Sequence, residues 1–80
     1  MMYLNHRKER LRLELKQKLE LTETNITEGR SSLRGVVRKL HHLKRECDGL
    51  VTEEELAELE RLDDLLCEIE FRINDKLFDM

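Results

Sequence analysis

The chain has 80 residues, no proline and no tryptophan, with 15 Lys and Arg set against 18 Asp and Glu. A chain this short is below the usual size for two cores, which leaves one domain over residues 1–80, and with 41% charged and 4% aromatic residues a helical one is expected. No run of about 18 apolar residues is present to cross a membrane as a helix. Residues 1–12 lack the apolar run of an export signal, and two cysteines make no disulfide framework. A soluble, cytoplasmic protein with reduced thiols is the expectation.

The first segment, about residues 2–26, is rich in strong helix formers. Leu4, Leu11, Leu15, Leu19 and Ile26 lie along one face. Leu13 and Leu21 fall off that face, with Tyr3 near them in angle. Between Ile26 and Leu33 the chain reads Thr-Glu-Gly-Arg-Ser-Ser. Gly29 and Gly35 would each cost about 1 kcal/mol inside a helix, and Ser31 or Ser32 could cap a new one. These residues predict a break near 27–32. Against a break stands the register of Leu15, Leu19, Thr22, Ile26, Gly29, Leu33 and Val36, which runs through unbroken.

A second segment, about residues 31–48, carries Leu33, Val36, Leu40, Leu43 and Cys47, then Leu50, in alternating steps of three and four. That is a seam of heptad type. Its surface is basic, with Arg34, Arg38, Lys39, Lys44 and Arg45. Gly49 suits the left-handed residue that follows a helix.

The third segment, about residues 52–78, has the clearest start. Thr52 and Glu55 make a capping box, Val51 and Leu56 stand where a hydrophobic staple would, and three glutamates favour the positive end of the helix dipole. Leu59, Leu62, Leu66, Ile69 and Ile73 form its seam, broadened by Leu65 and Leu77. A short connection predicts that this helix lies antiparallel on the second.

Charge supports the pairing. Residues 1–45 hold 12 Lys/Arg and 5 Asp/Glu, whereas residues 46–80 hold 3 and 13. Opposite potentials meet at interfaces, so the halves are expected to fold or assemble against each other. The predicted fold is all-α: an antiparallel, coiled-coil-like hairpin with an additional N-terminal helix, completed by oligomerisation.

Apolar surface exceeds what one hairpin covers. The last segment has a second line of Leu56, Cys67, Phe71 and Phe78, and the first has Leu13 and Leu21. A helix with two apolar faces usually has two neighbours, and small chains often find the second by oligomerising. A two-fold homodimer is expected, with Leu13, Leu21, Leu56, Phe71 and Phe78 at the protein interface.

Little points to catalysis. Zinc needs about four convergent ligands. His42 and Glu46 can share a helix face, but His41 and Cys47 face differently, and His6 and Cys67 stand apart. Seam burial would raise the pKa of Cys47, and the acids around Cys67 also disfavour a thiolate. There is no phosphate-binding loop, nucleophile elbow or paired metal motif. No enzyme, metal or cofactor is expected.

Function is expected in protein–protein contact by helix packing: an adaptor, assembly factor or inhibitor. The alternative is nucleic-acid binding through the basic half, with Arg7, Lys8, Arg10, Arg12, Arg34, Arg38 and Lys39 on phosphates. A third reading has the acidic last helix imitate nucleic-acid phosphates and block a nucleic-acid-binding protein.

Overall fold

Two helices form rather than three. The computed structural model describes Met2–Met80, with side chains from Arg7 onward; Tyr3, Leu4 and His6 lie outside the described side chains. Helix α1 spans Met2–Glu46 and α2 spans Glu53–Asp79. They pack against each other in antiparallel sense, and the molecule measures 68 × 15 × 14 Å. Its long axis is that of α1, whose 45 residues rise about 67 Å.

The break predicted at residues 27–32 is not there. Gly29, Ser31 and Ser32 are helical, and the only described residue with positive φ is Gly49 at 79°. Two effects outweigh the glycine penalty. No proline interrupts the amide ladder. More important, α2 lies beside this stretch and holds Arg30, so packing on a partner supplies what propensity lacks. Thr22, Thr24 and Thr27 turn their hydroxyls onto the carbonyls of Lys18, Glu20 and Glu23, within the helix.

The connection behaves as its residues predict. Helix α1 stops at Glu46, with Lys44 and Arg45 in its last turn to complement the dipole. Gly49 takes the left-handed conformation. The Glu55 amide donates to the Thr52 hydroxyl at 3.0 Å, and the Thr52 amide donates to the Glu55 carboxylate at 2.9 Å. Val51 is half-buried beside this box, and Leu56 is the most buried residue described, only 1% exposed.

The seam differs from the expected one by a rotation of each helix. On α1 the residues turned inward are Leu19, Glu23, Ile26, Arg30, Leu33, Val37, Leu40 and Lys44. On α2 they are Leu56, Leu59, Asp63, Leu66, Glu70, Ile73, Leu77 and Met80, with Ile69 half-buried at the edge. Each set steps by three and four. Each therefore holds one apolar ladder repeating every seven residues and one mixed ladder that includes charges. The expected seam residues Val36, Leu43, Cys47 and Leu62 are exposed instead. An all-apolar seam overlooked the charge on both helices. Turning Arg30 and Lys44 toward Asp63, Glu70 and Glu53 gains ion pairs, and the displaced aliphatic residues stay at the rim.

Candidate interaction surfaces

A half-buried ion network fixes how the helices meet. Arg30 Nε donates to Asp63 Oδ1 at 3.1 Å, and Arg30 Nη1 donates to Glu70 Oε2 at 2.9 Å. Arg34 Nε reaches Asp63 Oδ2 at 3.4 Å, and the Thr27 hydroxyl oxygen, directed to the Glu23 carbonyl at 3.0 Å, also lies 3.2 Å from Glu70 Oε1. The three central side chains are 16%, 17% and 20% exposed. Hydrogen bonds to Asp63 and then Glu70 raise the Arg30 pKa, and the bond from Arg30 holds the Asp63 carboxyl below its ordinary value. Lys44 pairs with Glu53, and His41 lies 3.6 Å from Glu60. With its nitrogen turned toward α1, the Asn74 amide donates to Glu23 at 2.8 and 2.9 Å. The two halves of the chain thus meet through opposite charges, as their composition predicts.

These pairs give the hairpin two unlike flanks. Going round α1 at 100° per residue, Arg34 and His41 lie about 80° to one side of the seam, and Val36 and Leu43 as far to the other. The charged flank opens a shallow groove between Arg34, Arg38, His41, His42, Glu60 and Asp64. The other flank is apolar. Val36 and Leu43 follow α1, Leu50 lies in the connection, and Leu62 follows α2, with Leu65 one step further round; all five are exposed. Leu40, Leu50, Leu59 and Leu62 line a groove on this side, with Glu55 and Glu58 at its edge.

A third surface is the part of α1 that outruns α2. Arg12 Nη2 donates to the carbonyl oxygen of Met80 at 2.8 Å, which marks where α2 finishes. Every residue from Arg7 to Lys18 is exposed, and Leu19 is the first described α1 residue that turns inward. This arm presents Leu11, Leu13 and Leu15 among Arg7, Lys8, Arg10, Arg12, Lys16 and Lys18.

The residues expected at a protein interface separate into two groups. Leu13, Leu21, Phe71 and Phe78 are exposed, Phe78 at 91%. Leu56 is a correction: it packs inside the hairpin and is not available to a partner. Its place after the capping box makes it the first apolar residue of the inward ladder rather than part of an outer line.

Among the residues expected on nucleic acid, Arg34 is engaged with Asp63 and Arg12 with the Met80 carbonyl. Arg7, Lys8, Arg10, Arg38 and Lys39 are exposed and make no ion pair among the described residues. Reading the sequence missed Arg30. A charged residue in an apolar register usually signals an error of phase, and here its signal was two acids seven residues apart on α2, Asp63 and Glu70.

Cys47 and Cys67 are free and exposed, so the buried thiol expected at Cys47 is corrected by the rotation of α1. Among the described residues, no three His, Cys, Asp or Glu side chains converge to hold a metal ion. None of the described helices is long and apolar enough to cross a membrane. Comparison with protein-family models, with curated proteins and with solved structures finds no match to this chain.

Proposed function

We propose that this protein is a small, non-enzymatic interaction module that works by helix packing and assembles as a homodimer. One observation carries the reading. Phe71 and Phe78 stand in solvent on α2, while Val36, Leu43, Leu62 and Leu65 line an open flank, so the two-helix seam leaves large apolar side chains uncovered. Groups of exposed large apolar side chains mark contact sites in small proteins. Large side chains at an interface centre dominate its energy.

Two surface variants test it. Phe71→Glu and Leu62→Glu alter side chains that lie outside the seam, so helicity by circular dichroism should hold. At least one of them should lower the solution mass measured by light scattering. Two variants that match wild type in mass at every concentration would refute the reading.

Nucleic-acid binding is the second reading, favoured by Arg7, Lys8 and Arg10 near the start of α1, which are exposed and make no ion pair among the described residues. It would appear as duplex affinity that falls steeply with salt, with a slope set by the number of phosphates contacted. Affinity insensitive to salt, or none at moderate salt, rejects it.

A further inference from the structure

We infer that the basic arm of α1 docks on the outer face of α2 in a second copy of this chain, so that each protomer gives one arm and receives one. This rests on the interaction reading above and names its partner and its surface.

The arm is a helix that meets α2 only at that helix's C-terminal end, where Arg12 donates to the Met80 carbonyl. From Arg7 to Lys18 it rises about 18 Å, and an isolated helix of that length is marginal in water. Its face is patterned for a neighbour all the same. At 100° per residue, Leu11 and Leu15 make a narrow apolar line. Arg7 and Lys18 border it on one side, Arg12 and Lys16 on the other.

The outer face of α2 has a complementary pattern. Phe71 and Phe78 form an exposed apolar line. Asp64, Glu68, Asp75 and Asp79 follow it along one side, and a shallow groove runs past Asp64, Cys67, Glu68, Phe71 and Arg72. Four acids of α2, Glu53, Glu60, Asp63 and Glu70, are engaged with α1. Asp64, Asp75 and Asp79 make no ion pair among the described residues, and Glu68 meets only Arg72, at 3.9 Å. Residues Asp64 to Asp79 rise about 22 Å, which matches the arm.

The contact must form between copies. The arm continues straight along α1, away from its own α2, and cannot fold back onto that helix without breaking α1. A two-fold axis near Leu19, perpendicular to α1, places each arm beside the C-terminal half of the other α2. The pair closes on itself and leaves no further arm free, as expected of a dimer. The basic residues of the arm also favour this face of α2, where Asp64, Asp75 and Asp79 make no ion pair among the described residues.

Charge reversal in full-length chains tests the inference. One variant carries Lys16→Glu and Lys18→Glu, the other Asp64→Lys and Asp75→Lys. All four positions are exposed, and helicity is checked for each variant. Each variant alone should dimerise roughly tenfold or more weakly than wild type. Mixed in equal amounts they should recover the dimer mass, because in the mixed pair both arm contacts are again between opposite charges.

Dimers of wild-type strength from either variant alone would overturn the inference and leave the interaction reading to the apolar flank. A mixture that stays monomeric would overturn it too, as would duplex DNA binding by wild type, lost in the arm variant, with dimer strength unchanged. If wild type is itself monomeric at all concentrations, the inference and the homodimer fail together. That outcome is distinct from the others because no variant is needed to see it.

Discussion

Three glycines show how far a single residue's meaning depends on its neighbours. Gly29 and Gly35 sit inside a helix, and a Cβ built on either meets no atom within 4 Å. Gly49, by contrast, sits at φ 79°. The account therefore expects opposite effects from the same substitution. Gly29→Ala should stabilise the fold by roughly 0.5–1 kcal/mol. Gly49→Ala should destabilise it by about 1 kcal/mol. Urea titration followed by circular dichroism checks both, and a loss of stability in Gly29→Ala would restore the turn that the sequence predicts at residues 27–32.

Asp63 is the other residue with a clear consequence. Its folded pKa lies below the ordinary 3.8, mainly because Arg30 donates to it. Its contribution is thus complete above that ordinary value and disappears as pH falls through the lower folded one. The gap in melting temperature between wild type and Asp63→Asn should be present at pH 7 and close below about pH 4. A gap that persists unchanged at pH 2 would separate Asp63 from the stability of the hairpin.

At the scale of the element, what could be read in advance was the local chemistry of the chain. The capping box at Thr52 and Glu55, the left-handed Gly49 and the limits of α2 all follow from a few adjacent residues. What could not be read was the rotation of the helices. Val36 and Val37, or Leu62 and Asp63, differ by one position; apolar character cannot separate the two valines and chooses the wrong member of the second pair. The choice depends on residues more than 30 positions away, Arg30 against Asp63 and Glu70. The same distant contact explains why α1 is continuous.

Arg30 also fixes the sliding register. Asp63 and Glu70 are seven residues apart, so a slip of one heptad would leave Arg30 facing one acid and either Leu56 or Leu77. A core test follows from the same assignment. Leu56→Ala should cost about 2–5 kcal/mol, a large part of the stability of a domain this small. Val36→Ala, at an exposed rim position, should stay within about 0.5 kcal/mol. Equal losses in the two variants would mean that the inward ladders have been placed wrongly.

At the scale of the whole molecule, the separation of charge along the sequence has two outcomes. Part of it is spent inside the hairpin, where Arg30, Arg34, His41 and Lys44 of α1 meet acids of α2. The rest remains outside, basic on the arm and acidic on the back of α2. The apolar surplus divides in the same way. Leu56, counted from its sequence position as part of an outer line, belongs to the core, whereas Leu13, Leu21, Phe71 and Phe78 are open. Sequence periodicity identified the surplus but could not allocate it, because allocation needs the rotation of both helices.

The proposal that this surface joins two copies is tested most directly by sedimentation equilibrium of the unmodified chain over a wide range of concentration. The account expects the weight-average mass to rise from 9.7 kDa toward twice that value. A mass that stays at 9.7 kDa up to the highest concentration would contradict it.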